Sequence, residues 1–126
     1  MFLIYIIGPF RASNSWVMEC NIRKAEETAL ELWKRHFAVI CPHTNTRFFQ
    51  GVLPDVDFLD GDKEILKRCN AALCIDGWRK SVGCISEVIY AKSMNVRCFV
   101  DIDELDDFFR MKPKLKKYRM AWNEYE

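Results

Sequence analysis

Short apolar segments alternate along the chain with longer segments in which apolar residues recur every three or four positions. Residues 2–7 form an unbroken apolar run that Gly8-Pro9 ends, which is typical of a strand buried on both faces. Apolar residues then recur at mostly helical intervals to about residue 35, with charged residues between them, which predicts an amphipathic helix. Residues 37–40 form a second predicted strand, which Cys41-Pro42 closes because proline cannot continue a central ladder.

The second half of the chain repeats this alternation after an irregular stretch. Residues 43–59 show no sustained period and predict a long loop, and loops of that length inside a compact domain usually serve a site. Helical spacing resumes at Asp62, and a third predicted strand follows over residues 71–75. A helix over residues 81–95, a fourth strand over residues 96–100 and a charged, aromatic C-terminal region complete the pattern.

The alternation of strands and helices favours one parallel sheet with helices on both faces and right-handed crossovers. We therefore predict an α/β fold with a Rossmann-like or flavodoxin-like sheet. A length of 126 residues suffices for one hydrophobic core, so residues 1–126 are expected to form a single domain. In such sheets ligands bind beyond the carboxyl ends of the strands.

Composition and charge narrow the functional classes. A net charge of +1 provides no general attraction to nucleic acid or to an anionic membrane. The six cysteines contain no CxxC pair and neither histidine is placed to complete a zinc site, so we expect buried thiols and no metal. The apolar start is too short for a membrane span and lacks the basic region of a signal peptide. These features predict a cytoplasmic protein whose partners are neither nucleic acids nor membranes.

Two segments that follow predicted strands can attract an anion. The first turn consists of Gly8, Pro9, Phe10 and Arg11. Its backbone amides can approach a phosphate, and Arg11 adds a positive charge. Ser81 and Gly83 stand at the start of a predicted helix, where free N–H groups and the helix dipole attract anions. The alternatives are a plain strand-ending turn and an ordinary serine N-cap.

Two carboxylates are predicted at helix starts on the same edge of the sheet. Glu87 lies four residues after Gly83, and Asp62 opens the preceding helix, with Phe58 and Leu59 as an apolar wall that would raise its pKa. Each carboxylate alone is typical of a residue that caps a helix or complements its dipole. Together, beside a phosphate cradle, they match a retaining glycosyl-transfer site, in which one carboxylate attacks the sugar and the other protonates the leaving base.

Four segments in this order resemble the nucleoside 2-deoxyribosyltransferase-like superfamily, which includes the deoxyribosyltransferases and the nucleoside 5′-monophosphate N-glycosidases. The resemblance covers roughly residues 3–100. Its elements are Tyr5-Ile6-Ile7-Gly8-Pro9-Phe10-Arg11, Cys41-Pro42-His43-Thr44, Phe58-Leu59-Asp60-Gly61-Asp62-Lys63-Glu64-Ile65-Leu66 and Trp78-Arg79-Lys80-Ser81-Val82-Gly83-Cys84-Ile85-Ser86-Glu87.

The resemblance implies roles for individual residues. Glu87 occupies the position of the nucleophile that attacks the anomeric carbon, and Asp62 that of the residue that handles the base proton. In the nucleotide-hydrolysing members the first loop and the Ser-x-Gly element hold the 5′-phosphate, which corresponds here to residues 8–11 and to Ser81 and Gly83. No metal or other cofactor takes part.

Trp16 is the aromatic residue early in the first helix that the resemblance implies as a wall for the sugar or the base. Some positions depart from the family pattern. Asn70 stands where relatives often have aspartate, and Val88-Ile89 follow Glu87 where several relatives have a glycine. Residues 101–126 do not match the C-terminal region that contributes substrate contacts to a neighbouring subunit in deoxyribosyltransferases. Bond cleavage is therefore better supported than transfer.

We hypothesise that the protein cleaves or exchanges the N-glycosidic bond of a nucleoside or nucleoside 5′-monophosphate through a covalent glycosyl-Glu87 intermediate. The alternative from another class is a non-catalytic nucleotide-binding module of the same fold, which the presence of both carboxylates disfavours. A nucleic-acid-binding patch over the basic residues 110–119 is disfavoured, because five carboxylates within residues 101–107 precede it. The pattern favours a solvated surface on which the positive and negative charges compensate each other.

A homodimer or larger homo-oligomer is expected, because relatives commonly assemble and the chain has many apolar residues for its size. Some of the apolar and aromatic residues in loop-like or terminal regions, which include Phe48, Phe49, Phe108, Phe109 and Trp122, are expected to be covered by another subunit.

Overall fold

A parallel sheet forms the centre of the protein in the computed structural model, which describes residues 1–110 and 121. The strands are β1 (Leu3–Ile7), β2 (Ala38–Ile40), β3 (Ala71–Cys74) and β4 (Arg97–Phe99). They lie in the order β2-β1-β3-β4, and each neighbouring pair is parallel. The predicted α/β fold with a Rossmann-like or flavodoxin-like sheet is confirmed.

Helices connect the strands and follow the last of them. They are α1 (Ser15–Lys34), α2 (Pro42–Asn45), α3 (Asp55–Leu66), α4 (Val82–Ser93) and α5 (Ile102–Phe109), with a 3₁₀ turn (Trp78–Lys80) before α4. Side-chain caps define the starts of three of them: the oxygens of Asn14, Ser81 and Asp101 accept hydrogen bonds from backbone N–H groups of the first turns of α1, α4 and α5. Each cap satisfies a donor that the helix itself leaves unpaired.

The central strand β1 is buried on both faces, as its unbroken apolar sequence predicts. Ile4 and Ile6 pack in one cluster with buried residues of α1 and α5, and Tyr5 and Ile7 pack in a second cluster with buried residues of α3 and α4. Successive residues of a strand point to opposite faces, which produces this division. Tyr5 therefore projects toward the two helices that carry Asp62 and Glu87.

The prediction that Asp62 opens a helix was wrong, because α3 begins seven residues earlier at Asp55. Pro54, with φ −57° and ψ 144°, is the last non-helical residue before α3, and Asp55 and Asp57 complement the helix dipole in the first turn. The predicted loop over residues 43–59 is consequently shortened to residues 46–54 between α2 and α3. Asp62 lies two turns inside α3, where it points sideways from the helix instead of capping it.

The apolar residues predicted to contact another subunit divide into two groups. Phe48 and Phe49 are exposed. Phe108 and Phe109 lie at the end of α5, which packs on the sheet, and their rings pack near Phe99 of β4. Trp122 lies outside the described residues, as does the basic stretch apart from Arg110. The homo-oligomer stays a prediction, which light scattering can test. None of the described helices is long and apolar enough to span a membrane.

Candidate active site

A cavity of about 940 Å³ lies at the carboxyl ends of β1, β2 and β3. Its volume is at the upper end of the range typical of small-molecule sites, roughly 300–1,000 Å³. The wall contains eight of the nine residues selected from the sequence: Gly8, Pro9, Phe10, Arg11, Asp62, Ser81, Gly83 and Glu87. Segments that are far apart in the sequence thus meet in one site.

Trp16 is the selected residue that the structure does not bring to the cavity. The residue is 76% exposed and lies outside the wall, to which α1 instead contributes Ser15, Met18 and Glu19. One helical step rotates a side chain by about 100°, so Trp16 points away from the face that carries its neighbours. Its implied role at the sugar or base is not supported by this position.

Glu87 lies in the second turn of α4 and contacts β1. The Tyr5 hydroxyl donates a hydrogen bond of 2.5 Å to Oε2 of Glu87. Burial raises the pKa of Glu87 to about 7. The negative charge of Asp62 also raises this pKa, whereas the Tyr5 hydrogen bond and the positive charge of Lys63 lower it. Burial and the nearby Glu87 raise the pKa of Tyr5, so Tyr5 stays protonated and remains a donor.

Asp62 faces the same cavity from α3. Burial raises its pKa to about 6, and Phe58 and Leu59 line the cavity one turn earlier in the helix. The site therefore holds two carboxyl groups that influence each other's charge and titrate near neutral pH. One of them can be ionised while the other is protonated, which is the combination that paired nucleophilic and acid catalysis needs.

The turn after β1 is held by contacts on both sides. A Cβ atom at Gly8 would lie 2.5 Å from Cγ1 of Ile75, so a larger residue here would displace that side chain. Nε2 of buried His43 lies 3.0 Å from the Pro9 carbonyl, and burial lowers the pKa of His43, so the neutral ring donates this bond. The amide of Asn21 donates to the Phe10 carbonyl at 3.2 Å. The backbone of this turn is thereby preorganised.

Two of the side chains selected as anion ligands, those of Arg11 and Ser81, already interact with other groups of the protein. Arg11 forms an ion pair with Asp55 at the start of α3. The Ser81 hydroxyl accepts from the Cys84 N–H at 3.3 Å, so the N-cap interpretation of Ser81 is confirmed. Gly83 has open space beside its Cα, since a Cβ there would approach only the Ser81 hydroxyl, at 3.9 Å. A ligand can therefore reach the backbone at the start of α4.

The sequence reasoning passed over three residues that contribute to this site. Tyr5 is the hydrogen-bond donor to Glu87, and a hydroxyl in the middle of an otherwise aliphatic buried strand was the available signal. Lys63 and Lys80 line the cavity, and no local pattern separates them from solvated surface lysines. Within residues 1–110 and 121, no group of three or more His, Cys, Asp or Glu side chains is arranged to hold a metal ion.

Comparison with known proteins identifies the fold of the chain. No protein-family model and no curated protein sequence matches the chain. Among solved structures, it is similar to a 2-deoxyribosyltransferase from Bacillus psychrosaccharolyticus, characterised as a biocatalyst for nucleoside synthesis, at 16% sequence identity and a TM-score of 0.57. The similarity covers 97% of this chain and 88% of that enzyme. The chain therefore has the fold of a nucleoside 2-deoxyribosyltransferase.

Proposed function

We propose that the protein cleaves or exchanges the N-glycosidic bond of a nucleoside or nucleoside 5′-monophosphate. The observation that carries the proposal is the pair of carboxyl groups of Glu87 and Asp62 in one cavity wall, both with raised pKa, of which Glu87 is hydrogen-bonded to buried Tyr5. The fold shared with a 2-deoxyribosyltransferase supports the same chemistry.

In the proposed reaction the ionised Glu87 attacks C1′ of the sugar. Tyr5 donates to Oε2, which leaves Oε1 as the attacking oxygen. As the C1′–N bond breaks, its electron pair moves onto the departing base. A ring nitrogen of the base takes the proton from Asp62. The product is a glycosyl ester of Glu87 and a neutral base. Water or a second base then attacks C1′ and releases Glu87, while the Asp62 carboxylate accepts the proton of the attacking molecule.

The mechanism requires Glu87 ionised and Asp62 protonated. The pKa of Glu87 is about 7 and that of Asp62 about 6, so the productive protonation state is a minority of the free protein. Its population is greatest between these two values and falls on both sides. We therefore expect a bell-shaped dependence of kcat/KM on pH, with its maximum between pH 6 and 7.

The variant Tyr5→Phe tests the pH dependence. It removes the hydrogen bond that lowers the pKa of Glu87, so this pKa rises and the alkaline limb of kcat/KM moves to higher pH. The maximum falls at the same time, because fewer molecules have an ionised Glu87 beside a protonated Asp62. Tyr90→Phe is the matched control, since Tyr90 lies outside the cavity wall. An unchanged profile in Tyr5→Phe would contradict the assigned role of Tyr5.

The proposal includes a substrate with a 5′-phosphate, bound between the turn after β1 and the start of α4. Two cationic side chains of the cavity wall belong to or adjoin these segments: Arg11 in the turn after β1, and Lys80 just before Ser81. Charge-assisted hydrogen bonds to such an anion contribute roughly 1.5–3 kcal/mol each. Arg11 must exchange its ion pair with Asp55 for the phosphate, which lowers the net gain from this residue.

Arg11→Ala is expected to raise KM for a nucleoside 5′-monophosphate by about tenfold while hardly affecting the matched nucleoside. Asp55→Asn is the complementary control, because it releases Arg11 from its ion pair and should preserve or lower KM for the nucleotide. Equal weakening of both substrates by Arg11→Ala would show that the turn has a structural role. The protein would then use nucleosides.

The experiment that tests the function incubates the protein with a panel of nucleosides and 5′-monophosphates, with and without a second free base, and follows released base by chromatography. Release with water alone indicates hydrolysis, and a new nucleoside or nucleotide indicates transfer. Binding of nucleotides without release of base from any of them would favour the non-catalytic module instead.

A further inference from the structure

Phe48 combines an unfavourable backbone conformation with an exposed aromatic ring at the cavity. Its φ angle is +65°, in the left-handed region that a bulky residue rarely adopts. The residue is 85% exposed and yet contributes to the cavity wall. Backbone strain of this kind concentrates at functional sites, where the surrounding structure holds the strained residue in place.

The loop that carries Phe48 is attached to α1 through Arg47. The Arg47 guanidinium forms an ion pair with Glu19 and lies 3.7 Å from Glu26. The same guanidinium lies over the Phe48 ring, 4.9 Å from its centroid. The ring is thus held at the cavity from one side, and its high exposure leaves room for a second planar group.

The loop that carries Phe48 leads into α3, the helix beside which the proposed chemistry places the base. Asp62 protonates the leaving base, so the base lies along the cavity face of α3, which Asp55, Phe58 and Asp62 share by their spacing of three and four residues. The loop over residues 46–54 leads directly into α3 and also contributes Gln50 to the wall. The proposed anion-binding segments follow β1 and β3, whereas the loop with Phe48 comes after β2.

We propose that Phe48 stacks on the base of the bound substrate and that its strained backbone is retained for this contact. The inference rests on the proposed function, since it takes the position of the base from Asp62. Stacking accepts any base because every base has a π face, and it favours purines over pyrimidines by their larger area. Phe48 is in this view a binding residue that contributes to substrate preference and takes no part in the chemical step.

Phe48→Gly separates the two properties of this residue. Glycine adopts positive φ without strain, so the variant should unfold at a Tm about 3 °C higher than the wild type. Loss of the ring should raise KM for a purine nucleotide by about tenfold or more, with kcat changed less than threefold. Phe48→Ala keeps the strain, so it should raise KM equally without the gain in Tm. Phe48→Tyr keeps an aromatic ring, so its KM should equal that of the wild type.

Phe49→Ala is the matched control, because Phe49 is the adjacent exposed phenylalanine and lies outside the cavity wall. It should leave KM unchanged. A KM within twofold of wild type in Phe48→Gly overturns the stacking role while leaving the glycosidic chemistry intact. Light scattering adds a second criterion: conversion of an oligomer to a monomer by both Phe48→Gly and Phe49→Ala would show that the ring is covered by a second copy.

Calorimetric titration with a purine 5′-monophosphate keeps the two proposals distinguishable. If the wild type binds this nucleotide but releases no base from any substrate, the proposed reaction fails, and weaker binding by Phe48→Gly still supports the stacking contact. If Phe48→Gly binds as tightly as wild type, the contact is overturned. Absence of binding to the wild type overturns both.

Discussion

Replacement of Glu87 by alanine or glutamine should lower kcat by about 10⁴-fold or more, equivalent to at least about 5.5 kcal/mol in the barrier. The physical reason is that no other described carboxylate accepts a hydrogen bond from the Tyr5 hydroxyl. The variant therefore has no positioned group that can form the glycosyl ester. Release of base from the best substrate of the wild type measures the effect. Wild-type-like turnover by Glu87→Ala would refute the mechanism.

The folded state of Glu87→Gln provides the control for this loss. The pKa of Glu87 rises from an ordinary value of 4.5 to about 7 on folding, so the folded protein holds this proton more tightly than the unfolded chain. Stability associated with the protonated group is present below pH 4.5 and is lost as the pH rises to about 7. Glutamine stays neutral, so Glu87→Gln should have a Tm equal to or above wild type at pH 8. A well-folded, inactive variant excludes unfolding as the cause.

Asp62→Asn should slow substrates with poor leaving bases by about 10²–10⁴-fold, the usual contribution of a general acid. Asparagine has a similar shape and has no proton to transfer at these pH values. A 7-methylguanine nucleotide is the discriminating substrate, because its base departs neutral without protonation. The variant should cleave this substrate at a rate close to wild type. Equal slowing of guanine and 7-methylguanine nucleotides would contradict the role of proton donor.

The pH profile of Asp62→Asn provides an independent readout. The alkaline decline expected of the wild type reflects loss of the productive state in which Asp62 is protonated and Glu87 ionised. Without Asp62, activity depends only on the ionised fraction of Glu87, so kcat/KM should rise with pH through the pKa of Glu87 and then stay level. A retained alkaline decline would place the acid elsewhere.

The sequence alone determined the sheet and the segments that build the cavity. An unbroken apolar run such as residues 2–7 is compatible with a strand buried on both faces, and Gly8-Pro9 has to end it. Because parallel strands place their carboxyl ends on one edge, the polar residues after each strand were expected to meet there. Glu87, Asp62 and residues 8–11 do meet, although they are far apart in the sequence.

Only the tertiary structure decided which side chains touch. The contact between Tyr5 and Glu87 joins residues 82 positions apart, and it depends on how α4 is rotated against β1, which the apolar period leaves open. The start of α3 was missed because Gly51, Pro54 and Asp55 are typical of a loop, whereas Pro54 immediately precedes a helix whose first turn Asp55 and Asp57 stabilise. The same kind of rotation turns Trp16 to solvent. Local patterns determine which elements form, and the packing of those elements determines which groups share a site.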